Sequence, residues 1–368
     1  MRIGIELTPL TYALTGVGYY VRHLVRELAA LTEPGTVIGF VAGARKPVEE
    51  NPAIPYRRFP VPPRLLNSLW GRAGMPCVDR LLGGTDVYHA VNYVLPPLKR
   101  ARGILSIHDL GFLRDPGWSS PKTRAPFERT IRRDAVRADV IIACSQATKD
   151  DIISLLNVDP GKIEVIYDAA DASFAPVERD QAACRVREAL GIATPYLLFV
   201  STLETRKNVA TLLSAFARAD VPHTLVLAGA PGWGSEAVTA QAAKLGVSDR
   251  VVFTGYLPDR SLFPSLYSAA EAFVFPSWHE GFGLAMLEAM ACGCPVIASN
   301  ASSLPEVGGD APVYVDPGDV DGLVRAMERV CGDEPLRAGL SEKGIARARA
   351  FSWRKCALET LDCYGRLL

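Results

Sequence analysis

Residues 275–296 read FPSWHEGFGLAMLEAMACGCPV, and this stretch decides the fold. An aromatic and β-branched run ends at Phe275, and a polar loop follows with Glu280 beside Gly281 and Gly283. A helix rich in Ala, Leu and Met then runs to Gly293, and Pro295 opens the next strand. Strand, glycine loop, helix and strand in that order build a parallel sheet, whose ligands sit beyond the carboxyl ends of its strands. The glycines let the amides of Phe282, Gly283 and Leu284 reach a phosphate. Glu280 at the mouth and Glu288 two turns along are poor phosphate ligands but good acceptors for sugar hydroxyls. Carboxylates on both sides of a phosphate cradle point to a nucleotide sugar.

Outward from this unit, short apolar runs alternate with amphipathic helices at 3–7, 37–41, 87–89, 104–108, 140–143 and 163–166. The pattern restarts at 196–200, 224–227, 251–254, 272–275, 296–298 and 313–315. Between the two series, residues 168–176 (DAADASFAP) carry no periodicity and read as a linker. The expected fold class is α/β, with two Rossmann-like doubly wound domains over 1–170 and 171–350. A terminal helix over 351–368 either caps the second domain or crosses back to the first. No solenoid repeat or low-complexity tract is present.

The chain has 368 residues, 40 basic against 40 acidic, so its formal net charge is zero. An apolar fraction of 49 % excludes a disordered chain, and neutrality argues against wholesale nucleic-acid binding. The zero is a sum of opposites: residues 1–170 carry 22 basic and 17 acidic side chains, whereas 171–368 carry 18 and 23. Met1 leads directly into a strand without a signal sequence, and no apolar run approaches a membrane span, so a cytosolic protein is expected. The eight cysteines include no CxxC pair, and only Cys292 and Cys294 stand close together, without His or Cys neighbours for zinc.

Two further loops precede helices. Gly16 and Gly18 open a helix after the first strand, where a ligand can reach backbone amides, although a plain tight turn is the competing reading. This is half of a dinucleotide fingerprint and lacks its acidic partner, which disfavours a nicotinamide site. In the second half, Arg206 and Lys207 precede a helix over 209–218, a placement unfavourable to the helix dipole unless an anion is bound there. A diphosphate is one such anion; a solvated surface pair is the bland alternative.

In this order, the motifs resemble the retaining glycosyltransferases of family 4, whose two-domain architecture is called GT-B. The resemblance runs from the GVG loop through SIHDL (106–110), VIIACS (140–145), IEVIYD (163–168), TLETRKN (202–208), EGFGLAMLE (280–288) and SLPEV (303–307). It implies two domains facing a central cleft. It places Glu280 on the donor sugar, Glu288 on the ribose hydroxyls, and Arg206 and Lys207 on the diphosphate. Many relatives carry arginine where this chain has Thr202, so Arg206 is expected to supply the second charge. His108 resembles the histidine that faces the donor sugar across the cleft, with a satisfied core histidine as the alternative. Gly255, Tyr256 and Leu257 resemble the loop that reads the nucleotide base, and Gly16, Gly18, Thr202, Gly281, Phe282, Gly283 and Leu284 complete the donor site. Asn92 and Asp109 are assigned to the acceptor.

The implied activity is transfer of a hexosyl group, mannosyl favoured, to a saccharide, polyprenyl-diphosphate-linked or natural-product acceptor. GDP-mannose ranks first as donor, ahead of UDP-sugars and dTDP-rhamnose. No carboxylate stands out as a nucleophile, which favours same-face attack with the departing diphosphate taking the acceptor's proton. No cofactor and no metal are expected, since no DxD lies near a strand end and the basic pair can serve as the cation. A segment at 64–82 and the set Lys99, Arg100, Arg102, Lys122, Arg124, Arg129, Arg132, Arg133 and Arg137 suit peripheral contact with the inner face of a membrane. An epimerase on the same scaffold and a non-catalytic nucleotide-sugar-binding module are the competing functions.

Overall fold

In a computed structural model, which describes residues 1–47, 53–192 and 195–368, the chain divides into two compact units. The first comprises residues 1–114, 121–168 and 352–368, and the second comprises 115–120 and 169–351.

The first unit is a seven-stranded, wholly parallel sheet: β1 (Ile3–Glu6), β2 (Val37–Ala42), β3 (Tyr56–Phe59), β4 (Val87–Ala90), β5 (Arg102–Ile107), β6 (Val140–Ala143) and β7 (Ile163–Val165). The order is β3-β2-β1-β4-β5-β6-β7, so the chain reverses direction between β1 and β4, the place where such sheets open a ligand crevice. The inner strands are buried on both faces, which is why they read as continuous apolar runs. β3, with sequence YRRF, is an edge strand whose two arginines are exposed, and the hydrophobic pattern contains no trace of it.

The second unit repeats the plan with six parallel strands: β8 (Tyr196–Val200), β9 (Thr224–Ala228), β10 (Val251–Gly255), β11 (Ala272–Phe275), β12 (Val296–Ser299) and β13 (Val313–Val315). Their order, β10-β9-β8-β11-β12-β13, reverses between β8 and β11. The helix Val209–Arg218 follows β8, and the helix Leu284–Ala291 follows β11.

Two segments take their places from contacts remote in sequence. The terminal helix Trp353–Gly365, capped by Ser352 onto the Lys355 amide, packs on the helix Gly16–Leu31 of the first unit. Trp353 stacks on His23 at 5.0 Å, and Tyr364 Oη lies 2.7 Å from His89 Nδ1, whose Nε2 lies 2.7 Å from Ser106 Oγ. Burial pulls His89 down to about 3, so this internal polar chain is uncharged. Residues 115–120 belong with the second unit: Trp118 stacks on His279 at 5.9 Å, and Trp233 Nε1 donates to the Gly117 carbonyl at 3.2 Å.

None of the eight cysteines is in a disulfide, and five are buried. Among the described residues, no helix is long and apolar enough to cross a membrane.

Candidate active site

The carboxyl ends of β8 and β11 assemble a buried cluster of charges in the second unit. After β8 the chain makes a tight turn, Thr205–Lys207, and enters its helix through Asn208, which takes the left-handed conformation at φ 57°. Asn208 is held there because its Nδ2 donates to the Pro276 carbonyl at 2.9 Å and to the Pro317 carbonyl at 2.7 Å. The turn therefore delivers Arg206 and Lys207 to the loop after β11. Lys207 Nζ lies 2.8 Å from both carboxylate oxygens of Glu280, and Arg206 Nη1 lies 3.3 Å from Oε2 and donates to the His279 carbonyl at 2.6 Å.

The anion that the helix dipole demanded beside this basic pair is thus supplied first by the chain's own Glu280. Both Lys207 and Glu280 are buried. Burial pushes the Glu280 carboxyl up, but Lys207 and Arg206 outweigh it and hold the group below its ordinary range, ionised at neutral pH. Its peptide is fixed as firmly as its side chain: Ser302 Oγ accepts from the Glu280 amide at 2.7 Å, and Ser303 Oγ donates to its carbonyl at 3.0 Å. Neither serine drew attention as a positioning group, although both stand within or beside the SLPEV motif.

Glu280 lies in the loop, and the helix starts at Leu284, so the eight-residue spacing to Glu288 is not a helical one. Gly283 opens that helix at φ 93°, where a Cβ would fall 2.6 Å from Leu304. Glu288 is buried among side chains: Arg260 forms an ion pair with its carboxylate, and Tyr267 Oη donates to Oε2 at 3.4 Å. Gly255 ends β10, and Tyr256 after it is exposed, with Leu257 following. Thr202 lies in the loop between β8 and the turn; a Cβ on Gly232 would fall 2.7 Å from its methyl group, so that loop and the one after β9 pack closely.

In the first unit, the carboxyl ends of β4 and β5 carry Asn92, His108 and Asp109. His108 Nε2 donates to the Val91 carbonyl at 2.9 Å, and its ring meets Tyr20 edge to face at 4.7 Å. Burial pulls His108 down, favouring the neutral imidazole. Asp109 accepts from the Gly111 amide at 3.0 Å, a local turn-forming role that accounts for its carboxylate without a ligand. Asn92 Oδ1 is buried with no hydrogen-bond partner.

His108, Cys144 and Asp168, from the ends of three neighbouring strands, bring ligand atoms within 4.8 Å of one another. Strand-end spacing in the sequence gave no sign of this group. Cys144 donates its thiol hydrogen to the His108 carbonyl at 3.1 Å, and burial pushes Asp168 up to about 7. Gly16 and Gly18 differ: a Cβ on Gly18 would fall 2.9 Å from Leu14, whereas one on Gly16 would meet nothing within 4 Å.

The basic set of the first unit is dispersed. Arg133 and Arg137 are ion-paired to the fully buried Asp134, and Arg102 is paired to Asp139. Lys99, Arg100 and Arg102 line a cavity of about 660 Å³ at the amino ends of β4 and β5, opposite the end that carries His108. The Lys122 side chain lies outside the described residues.

Residues 14–174 match the family described as Glycosyltransferase Family 4, and residues 187–347 match Glycosyl transferases group 1. The chain is 32 % identical, over the whole of both chains, to O-antigen chain mannosyltransferase B of Escherichia coli. It is 30 % identical to D-inositol 3-phosphate glycosyltransferase of Salinispora tropica, over 98 % of this chain and 74 % of that one. Among solved structures, sucrose-phosphate synthase of Thermosynechococcus elongatus matches with a TM-score of 0.79 at 23 % identity, covering 100 % of this chain and 99 % of that one. Anabaena HepE in complex with UDP and glucose matches with a TM-score of 0.78 at 21 % identity, covering 100 % of both chains. Together with the two reversing parallel sheets, these relationships show that the chain belongs to the family 4 glycosyltransferases of GT-B fold.

Proposed function

We propose that the chain is a retaining hexosyltransferase that moves mannose from GDP-mannose to a hydroxyl of a saccharide or polyprenyl-diphosphate-linked acceptor. The observation that carries this reading is the bracketing of Glu280 by Lys207 and Arg206, with its peptide held by Ser302 and Ser303. A carboxylate kept ionised at a fixed position accepts from sugar hydroxyls, and the two cations beside it suit the diphosphate that departs from the same sugar. The full-length relationship to an O-antigen mannosyltransferase favours mannose over other hexoses.

In the proposed step the bond from the anomeric carbon to the diphosphate oxygen breaks and a bond to the acceptor oxygen forms on the same face. The acceptor's proton passes to the departing diphosphate, whose charge Arg206, Lys207 and the amides near Gly283 offset. Glu280 is committed to two cations, which makes it a poor nucleophile and favours this route over a covalent intermediate. His108, neutral and donating to Val91, takes a sugar hydroxyl as acceptor instead of moving a proton. Asn92, with its unpaired Oδ1, is the better acceptor contact of the two assigned, since Asp109 serves its own turn. Gly16, where no protein atom approaches, leaves room for the donor.

The basic pair takes the part of a metal ion, so turnover persists in chelator. For the membrane, Leu65 and Leu69 lie one turn apart on the helix Pro63–Ala73 and are 54 % and 40 % exposed, and Met75 beyond it is 64 % exposed. An amphipathic contact with a membrane holding the acceptor accounts for these apolar groups at a surface. The deciding experiment incubates the protein with GDP-mannose and a mannosyl acceptor and reads the product by NMR. An α-linked product supports the proposal. A β-linked product, an epimerised donor, or a mannosyl adduct on Glu280 overturns it.

A further inference from the structure

The second carboxylate of the motif has a partner that the motif does not contain. Arg260 lies in the short turn Arg260–Leu262, whose entry is fixed by Asp259 accepting from the Ser261 amide at 2.9 Å. From there its guanidinium pairs with the Glu288 carboxylate. Two aromatic rings hold it in that direction: its Cζ lies 5.0 Å from the centroid of Phe174 and 5.6 Å from that of Phe263. Phe174 comes from the interdomain linker and Phe263 from the next helix, so three separate segments converge to fix one arginine. Arg260 keeps 29 % of its side chain exposed, whereas Glu288 beneath it keeps 6 %. The arginine is the boundary between a buried carboxylate and solvent.

We infer that Arg260 is the positioning residue of the ribose subsite, holding the Glu288 carboxylate aligned so that it can accept from the ribose hydroxyls of the donor. This inference rests on the donor-site reading of Glu288 given above. Planar guanidinium stacked on aromatic rings is preorganised for a carboxylate, so little freedom remains to be lost when the nucleotide binds. The surroundings of Glu288 otherwise work against its charge. Burial pushes its carboxyl above the ordinary range and Asp171 adds to that, while Arg260 and the Tyr267 hydroxyl oppose it. The remaining titratable neighbour, Cys292, is a buried thiol pushed up and therefore uncharged at neutral pH. Among the described residues, Arg260 is the cation paired with Glu288. Loss of Arg260 would push the carboxyl further up, toward the protonated form, which is the weaker acceptor for the ribose.

The test compares GDP and UDP, each with its own 2′,3′-dideoxy analogue, by titration calorimetry from about pH 5 to about pH 9. The pair that binds tighter is read in wild type, Arg260→Met, Arg260→Lys and Glu288→Gln. Wild type should prefer the ribonucleotide by about tenfold or more over the whole range. Arg260→Met should bind the dideoxy analogue as wild type does, which also shows that it is folded. Its ribose preference should be lost at low pH and regained as pH rises and Glu288 ionises. Arg260→Lys should keep most of the preference, and Glu288→Gln should lose it at every pH. Equal weakening of both nucleotides in Arg260→Met, or a preference unchanged at all pH values, overturns the inference while leaving the donor site intact. A wild type that binds both nucleotides equally, or neither, removes the donor-site reading itself and this inference with it.

Discussion

Lys207 Nζ stands equidistant, at 2.8 Å, from the two carboxylate oxygens of Glu280, and both residues are buried. With Arg206, this lysine offsets the cost of burying the Glu280 carboxylate as a charge. Removing Glu280 leaves Lys207 buried without its carboxylate, and removing Lys207 leaves Glu280 with Arg206 alone, so the loss is at most about 3–5 kcal/mol. Lys207→Met should therefore lower thermal stability and abolish transfer. In the double variant Lys207→Met/Glu280→Gln most of the stability should return while transfer stays absent. A double-mutant cycle by denaturant unfolding measures this, and additive losses would contradict the pairing.

The two glycines of the first loop are expected to separate by experiment. Gly18 is explained by packing, since a Cβ there would press on Leu14. Gly16 has no such reason: its φ is not positive, and a Cβ would stand in open space. Because alanine is the better helix former by about 1 kcal/mol, Gly16→Ala should not lower the melting temperature. It should nevertheless raise KM for the donor about tenfold or more, because the methyl group enters the space a ligand would use. Unchanged kinetics would return Gly16 to an ordinary turn.

Asp168 makes stability depend on pH in an unusual sense. Burial pushes its carboxyl up to about 7 in the folded protein, whereas the unfolded chain titrates near the ordinary 3.8. Between those values the native state holds a proton that the unfolded state has released. Stability therefore falls as pH rises through that window, by on the order of 1 kcal/mol per pH unit, and is flat outside it. Glu6, pushed up to about 7 by burial against hydrogen bonds from Thr8 and Val91, acts in the same direction. Asp168→Asn should remove about half of the slope and raise the melting temperature at about pH 8 relative to wild type. An unaltered slope in thermal melts would show that Asp168 is ionised in the fold.

The two sheets were legible because their strands are buried on both faces, which turns each into an apolar run that needs no partner to be seen. β3 was not, because an edge strand of sequence YRRF keeps its arginines in solvent and takes its identity from pairing with β2. Asp115–Ser120 eluded the reading for a related reason. Its place is set by Trp118 against His279 and by Gly117 accepting from Trp233, contacts about 116 to 161 residues distant in sequence. At the site, the residue types were readable and their pairing was not. Glu280 and Glu288 stood out around a glycine loop, and Arg206 and Lys207 as a basic pair before a helix, but nothing in the spacing says that Lys207 closes on Glu280 or Arg260 on Glu288. Those pairings come from loops after different strands of one sheet, and only the strand order brings them together.

The dispersal of the basic set decides how membrane contact must be tested. Arg133 and Arg137 are ion-paired to Asp134, which is fully buried and also accepts from the Leu95 amide at 3.0 Å. Arg133→Gln should thus lower stability by on the order of 1–3 kcal/mol, the range for a buried acceptor deprived of a charged partner, and any loss of vesicle binding in that variant is uninterpretable. Arg129 is exposed on the same helix. Leu65→Ser/Leu69→Ser removes the exposed apolar pair while Leu66 and Trp70, which anchor the helix Pro63–Ala73, stay in place. Both variants should melt as wild type does. In co-sedimentation with anionic vesicles, Arg129→Gln should weaken binding only at low salt, and the leucine pair at all salt concentrations, because screening acts on charge and not on apolar burial. Binding that survives the loss of both leucines and of Arg129 would leave this face of the first unit without a membrane role.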